Sequence, residues 1–207
     1  MNGRFITLEG GEGAGKSTQA RLLVDALAAR SIDAVLTREP GGSAGAEAVR
    51  ALLMQGDVGR WSGRSEALLF AAARADHVER LIQPALAAGR WVVCDRYIDS
   101  TRAYQGAQGI ADADILALHA FGSGGLMPDR TLLLHVDQAT GTARMRARDG
   151  GAIDRFAERD AGFHRAVAAG FDRIAAAEPA RVRRIDAGDA PDIVHAAIID
   201  MIADLLP

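Results

Sequence analysis

A glycine-rich run near the amino terminus has the residue types and the spacing needed to bind phosphate. It follows the template of Gly, four residues, Gly, Lys, then Ser or Thr, and consists of Gly10, Gly11, Glu12, Gly13, Ala14, Gly15, Lys16, Ser17 and Thr18. Glycines let backbone N–H groups approach phosphate oxygens closely. Lys16 is spaced to reach the β and γ phosphates, and the Ser17 hydroxyl can ligate Mg²⁺. The run therefore predicts a site for the phosphates of ATP and a metal ion.

The residues on either side of this loop favour the elements that such a loop requires. Residues 4–9 are mostly apolar or β-branched, which indicates a strand, and apolar residues repeat at helical spacing over 17–30. That helix would point the positive end of its dipole at the bound anion. An ordinary glycine-rich turn is the alternative, but the order of strand, loop and helix favours a P-loop.

A charged pair follows another predicted strand. Residues 91–94 are continuously apolar, as in a parallel sheet covered on both faces, and Asp95 and Arg96 come directly after them. Ligands of such sheets bind at the carboxyl ends of the strands, where the P-loop also lies. We therefore expect this pair to face the same crevice rather than to form a surface turn, and we take Asp95 with Ser17 as candidate metal ligands.

Two further stretches could recognise a nucleotide base. Phe70 and Arg74 are one turn apart on a helix predicted over 65–88, so they could stack on a base and bind its exocyclic oxygen. From spacing alone, a half-buried phenylalanine beside a solvated arginine is the commoner outcome. The polar stretch 97–108 supplies side chains that can hydrogen-bond to a base, namely Ser100, Thr101, Arg102, Tyr104 and Gln105.

An arginine-rich segment interrupted by Gly150 and Gly151 lies between two predicted helices. Such a segment suits a lid over phosphates, which we place at about 146–158, and a solvated helix face followed by a loop is an equal alternative.

Composition and pattern bound the class of protein. The 207 residues, 49% of them hydrophobic, can bury one core, which predicts a single domain over 1–207. A net charge of -3 argues against nucleic-acid binding. The single cysteine, Cys94, excludes an intramolecular disulfide and is expected in the core. Without an apolar run of 18 residues or a signal peptide, we expect no membrane partner and a cytoplasmic location.

Strands and helices alternate along the chain. Strands are predicted at 4–9, 34–37, 91–94, 131–136 and 182–186, with helical patterns between them and after the last. This order predicts an α/β fold, a doubly wound five-stranded parallel sheet with helices on both faces, of the P-loop nucleotide kinase type. A switch GTPase is disfavoured because the chain has no Asn-Lys-x-Asp segment to read guanine.

Over nearly its whole length the sequence resembles the thymidylate kinases of bacteria. The matching segments are residues 9–18, 37–42, 70–74, 95–101, 103–106 and 128–129. The resemblance implies ATP- and Mg²⁺-dependent phosphorylation of dTMP to dTDP, which supplies dTTP for DNA synthesis, by a homodimer.

The resemblance also implies roles by matching position. Phe70 would stack on thymine and Arg74 would hydrogen-bond its O4, which reverses the commoner outcome stated above. Glu12 would position the sugar, and Arg96 would hold the acceptor phosphate near the transferred group. The other dTMP-binding residues would be Ser100, Thr101, Tyr104 and Gln105.

In this family an arginine of the P-loop or of the lid steadies the transferred phosphoryl group. Residues 11–14 contain no basic side chain, so the chain resembles the lid-arginine type. The expected catalytic residues are Lys16, Arg96, Arg146, Arg148 and Arg155.

Two other functions remain open at this point. A kinase on the same scaffold could act on a deoxynucleoside or on dUMP, because base selection rests on few side chains. A nucleotide sensor without turnover is disfavoured, since the chain keeps Arg96 and the basic lid.

Overall fold

A five-stranded parallel sheet forms the centre of the computed structural model, which describes residues 3–149, 156 and 158–207, with the backbone alone for 138 and 145–149. The strand order is β2-β3-β1-β4-β5. Their bounds are β1 (Phe5–Gly10), β2 (Ala34–Arg38), β3 (Trp91–Asp95), β4 (Arg130–His135) and β5 (Val182–Asp186). The predicted parallel sheet is confirmed, and β1 lies in its middle with β3 and β4 on either side.

Helices cover both faces of the sheet, as predicted. Those of the described chain are α1 (Lys16–Ala28), α2 (Ala44–Met54), α3 (Gly63–His77), α4 (Gln83–Ala87), α5 (Ile98–Gly106), α6 (Asp112–Ser123), α7 (Gln138–Asp149), α8 (Ala161–Ala177) and α9 (Pro191–Met201). Successive strand side chains point to opposite faces, so Ile6 packs with α1 and α9 while Phe5 packs with the helices of the other face. Cys94 is fully buried there, which confirms its expected place in the core.

The helix predicted over 65–88 is confirmed, since helical backbone runs from Gly63 to Ala87, but the helix changes type within that stretch. α3 ends at His77, a π-helical turn spans Val78–Ile82, and α4 follows with Pro84 in its first turn. Proline cannot donate the backbone hydrogen bond of a helix interior, and a widened turn before it accommodates the missing donor. The Ser62 side chain caps α3 by accepting a hydrogen bond from the Ser65 N–H.

The polar stretch 97–108 forms a helix, α5, for which sequence analysis assigned no element. Its buried residues include Asp99, Thr101, Arg102 and Gln105, so the face turned to the core is largely polar. Asp99 and Arg102 are buried because they form ion pairs with each other and with residues of α6 and of the segment between α8 and β5. A helix that buries paired charges shows no apolar periodicity, so hydrophobic pattern could not reveal it.

No helix within the described residues is long and apolar enough to cross a lipid bilayer.

Candidate active site

The P-loop turns between the end of β1 and the start of α1. Gly10 and Gly13 have φ of 136° and 70°, and a Cβ on either would collide with a backbone carbonyl, that of Leu134 or Gly141. Both positions therefore require glycine. Gly15 has φ of 88° and begins α1 directly, so the first turn of that helix presents N–H groups to the loop. The predicted phosphate cradle has the backbone geometry that an anion site needs.

Lys16 is buried and bends back over this loop. Its Nζ donates to the carbonyl oxygens of Gly10 and Gly11 at 3.2 and 2.7 Å. Burial, followed by the positive charge of Arg96, lowers the pKa of Lys16 to about 8. A phosphate group would offer this ammonium a full negative charge in place of two carbonyl dipoles, so the residue is arranged to gain from nucleotide binding.

Arg96 connects the loop to the acceptor side. Its guanidinium donates to the Glu12 carboxylate at 2.5 Å and to the Gly10 carbonyl at 3.0 Å, and it lies 5.2 Å from the Tyr104 ring centre. Burial alone would lower the pKa of Arg96, but the Glu12 carboxylate and further acidic neighbours raise it above its usual value. The Tyr104 hydroxyl donates to the same Glu12 oxygen at 3.2 Å. These three predicted site residues thus form one charged cluster.

Ser17 and Asp95, the predicted metal ligands, are in direct contact. The Ser17 hydroxyl donates to Asp95 Oδ2 at 2.5 Å. One hydroxyl and one carboxylate are the oxygen donors that Mg²⁺ takes from protein when substrate phosphates and water complete its shell. Within the described residues no group of three or more His, Cys, Asp or Glu could hold a metal ion.

Arg74 lies at the opposite end of the cleft and is 2% exposed, so the alternative of a solvated arginine is wrong. Its Nε donates to Glu39 at 2.8 Å, and a terminal nitrogen donates to the Thr101 hydroxyl at 2.8 Å. The other Glu39 oxygen bonds His77 Nδ1 at 3.0 Å, and His77 Nε2 bonds Thr37 at 2.8 Å. The Arg74 guanidinium is therefore held directly by Glu39, in the loop after β2, and by Thr101 of α5. Thr37 of β2 supports it indirectly, through His77 and Glu39.

One continuous cleft brings the predicted residues together. Of those named from the sequence, the ones that line it are Glu12, Lys16, Ser17, Phe70, Arg74, Asp95, Arg96, Ser100, Thr101, Tyr104 and Gln105. Their roles toward substrates stay predictions. Arg155 lies outside the described residues, as do the side chains of Arg146 and Arg148, so the lid arginines are not placed.

Several cleft residues were not singled out as site residues in the sequence, namely Arg38, Glu39, Pro40, Arg50, Met54, Tyr97 and Phe156. Residues 38–40 belong to one of the segments that carry the family resemblance, so a signal existed there. Arg50 and Met54 lie on α2, and its ordinary amphipathic pattern did not distinguish them from other helix residues. Phe156 is buried, and its ring centre lies 5.9 Å from that of Phe70 and 6.2 Å from that of Tyr104.

A P-loop at the end of the central strand, with Arg96 and the Phe70–Arg74 pair lining the same cleft, is typical of a P-loop kinase of the nucleotide kinase type. The model of the family "Thymidylate kinase" matches residues 8–198. The chain belongs to the thymidylate kinase family.

Known relatives agree over the full length of the chain. It is 60% identical to the thymidylate kinase of Rhizorhabdus wittichii over 210 residues, covering 100% of both chains, and 51% identical to that of Caulobacter vibrioides, covering 99% and 98%. The crystal structure of thymidylate kinase from Ehrlichia chaffeensis superposes with a TM-score of 0.76 at 33% identity, covering 98% of this chain and all of that one. Fold and family therefore point to the same class of enzyme.

Proposed function

We propose that the protein transfers the γ-phosphoryl group of ATP to dTMP in this cleft, producing dTDP for dTTP synthesis. Membership of the thymidylate kinase family supports the reaction. The observation that carries the site assignment is that one cleft joins the P-loop, Arg96 and the Phe70–Arg74 pocket. A donor site and an acceptor pocket in one cleft are what transfer between two nucleotides requires.

We assign the residue roles that the family resemblance implies, and the presence of these side chains in one cleft supports them. Lys16 and the P-loop amides bind the ATP phosphates, and Arg96 holds the acceptor phosphate beside them. Phe70 stacks on thymine, and Arg74 meets its O4 from a fixed position. The acceptor's base and sugar are further surrounded by Ser100, Thr101, Tyr104, Gln105 and, at the sugar, Glu12.

Ser17 and Asp95 would hold Mg²⁺ together with the nucleotide phosphates. The metal ion would neutralise charge on the transferred phosphoryl group. Phosphoryl transfer asks little covalent chemistry of the protein, because its transition state is loose. Lys16 and Arg96 therefore act by positioning the two phosphate groups and by balancing their charge.

We place the whole chain in one kinase domain with a lid at about 146–158. In that lid Arg146, Arg148 and Arg155 are the candidates for the arginine that steadies the transferred group. The lack of a basic side chain at P-loop residues 11–14 supports the lid-arginine assignment.

A homodimer in the cytoplasm is the expected assembly and location. Phe121 on α6 is 94% exposed and Leu68 on α3 is 57% exposed. The two helices pack against each other, so these side chains extend the apolar surface of one helical layer. Such a surface suits contact with a second copy of the chain.

A coupled assay of ADP release with ATP and Mg²⁺ tests the function, with dTMP, dUMP, dCMP, dGMP and thymidine offered separately. We expect strong turnover with dTMP, weaker turnover with dUMP and none with thymidine. Preference for another acceptor would still indicate a kinase, but it would contradict the roles assigned to the residues of the base pocket. No acceptor-dependent release would overturn the kinase and indicate a nucleotide sensor.

A further inference from the structure

Glu9 ends the apolar part of β1, directly before the P-loop, and its side chain is fully buried. Its Oε1 accepts hydrogen bonds from the backbone N–H groups of Tyr97 and Ser100 at 2.8 and 3.2 Å. Its Oε2 accepts from the Ser100 hydroxyl at 2.6 Å. All three partners lie on the segment that follows Arg96, so one carboxyl group ties the central strand to the start of α5.

These bonds supply a cap that α5 does not provide for itself. Within the described residues Tyr97, at the N-cap position, makes no side-chain capping hydrogen bond, and the first N–H groups of a helix have no partner in the helix. Glu9 fills this role for Ser100, 91 residues away in the chain, whose N–H it shares with the Tyr97 carbonyl. A carboxyl group at this end of a helix also suits the helix dipole.

Arg96 stands in a backbone conformation that needs such support. Its φ is 69°, in the left-handed region that a residue with a Cβ rarely adopts. On its amino side the Arg96 N–H donates to the Leu8 carbonyl at 2.9 Å, and on its carboxyl side Glu9 binds Tyr97. Two consecutive residues of β1 therefore hold this turn, and such turns persist where their surroundings fix them.

The side chain of Arg96 is reached by the same carboxyl group through one hydroxyl. Ser100 Oγ donates to Glu9 and accepts from a terminal nitrogen of Arg96 at 3.1 Å. That nitrogen also donates to the Gly10 carbonyl, while the other donates to Glu12. Glu9 thus sets where the Ser100 hydroxyl proton points and leaves its lone pairs for Arg96.

We propose that Glu9 is a positioning residue for phosphoryl transfer, which holds Arg96 at the acceptor phosphate through the turn at 96–97 and the Ser100 hydroxyl. The assignment rests on the proposed role of Arg96 in that reaction. Glu9 itself is fully buried and is not among the described residues that line the cleft.

The two amide contacts do not depend on the charge of Glu9. Burial, followed by the Asp99 carboxylate, raises the pKa of Glu9 to about 8. Oε1 accepts the two amide N–H bonds in both protonation states, whereas the Ser100 hydroxyl donates to Oε2 when the carboxyl group is ionised.

A double-mutant cycle with Arg96 tests the proposal on the full chain. Glu9→Leu keeps the approximate volume and removes both oxygens, and we expect kcat with saturating ATP and dTMP to fall at least about tenfold, because small misplacements of a positioned group are costly. In the Arg96→Ala background the same change should lower kcat less than about twofold, since the group it positions is gone. Equal losses in both backgrounds, or no loss in the wild-type background, would overturn the proposal.

Two further variants separate positioning from general destabilisation. Glu9→Gln keeps an oxygen for the two amide N–H groups, so it should recover most of the activity that Glu9→Leu loses. If Glu9→Leu does not fold, Glu9→Met, which also lacks both oxygens, is used in the same cycle. Asp99→Asn changes another buried carboxylate of this region, paired with Arg102 and Arg181, and should lower Tm while changing kcat less than about twofold. A loss of kcat in Asp99→Asn as large as that in Glu9→Leu would assign Glu9 a structural role alone.

The acceptor preference of the wild-type chain, measured in the same assay, separates failure of this proposal from failure of the proposed function. If wild type turned over a different acceptor, the function would be wrong and the cycle would be run with that acceptor.

Discussion

The two ends of the cleft, which we propose to bind the acceptor base and the phosphates, hold their charges in different ways. At the base end, Arg74 and Glu39 form an ion pair in which both side chains are at most 5% exposed, and His77 and Thr101 complete it. At the phosphate end, Lys16 is bound by two P-loop carbonyls rather than by a carboxylate, and Arg96 and Glu12 are 17% and 23% exposed.

This difference suits two different tasks. A group that recognises a base must already be in place, because reorganisation at binding would reduce discrimination. Groups that neutralise developing charge must instead exchange protein partners for phosphate oxygens. We therefore expect changes at the phosphate end to affect rate with little effect on stability, and changes at the base end to affect both stability and acceptor binding.

The largest expected effect is on catalysis at the phosphate end. Lys16→Ala or Arg96→Ala should lower kcat at least about a hundredfold, on the order of 3 kcal/mol, because each removes a preorganised charge at the transferred group. Lys16→Ala should leave the free energy of unfolding unchanged or higher, since burial of an ammonium opposes folding. Steady-state kinetics and urea unfolding measure the two quantities. A rate within tenfold of wild type for either variant would contradict the assignment.

At the base end, Glu39→Gln should lower the free energy of unfolding by about 3 kcal/mol, because it leaves the Arg74 charge buried without its carboxylate. Urea unfolding followed by circular dichroism measures this change. The matched control is Asp33→Asn, which breaks the exposed pair with Arg90, 2.7 Å apart, and should change stability by less than about 1 kcal/mol. Equal losses in the two variants would remove the distinction between the ends of the cleft.

Acceptor binding should respond to Arg74 itself. Arg74→Lys keeps a positive charge beside Glu39 but loses the guanidinium fork, so KM for dTMP should rise about tenfold, the effect of one hydrogen bond to a charged group. KM for ATP should change less than about twofold and serves as the internal control. Equal increases in both would show that Arg74 is not a base contact.

The smallest expected effect concerns Cys94, on the side of the sheet that faces α4 and α5. Burial first, and then the nearby Glu39 carboxylate, raise the pKa of its thiol well above the usual value. The thiolate is the reactive form, so the native protein should not react with Ellman's reagent at pH 8, whereas one thiol per chain should react in denaturant. Rapid reaction of the native protein would indicate that this face of the sheet opens.

Much of the fold could be predicted because its signals are local. The strands β1 to β4 each contain a short run of mostly apolar residues, and α1, α2, α8 and α9 have apolar residues at helical spacing. The helix predicted at 65–88 is present, but the π turn before Pro84 was not predicted, and no element was predicted for α5. In α5 the buried face includes the paired charges of Asp99 and Arg102, and their pairing depends largely on chain segments far away in sequence.

The sequence by itself determined the phosphate chemistry of this protein, because the nine residues of the P-loop act through their own backbone and through the strand and helix next to them. It also placed Asp95 and Arg96 at the edge of the sheet where that loop lies. Only the tertiary structure decided that Arg74 pairs with Glu39, 35 residues away, and that Glu9 caps α5 beside Arg96. Which buried groups meet depends on the order of strands in the sheet, and residue spacing does not contain that order.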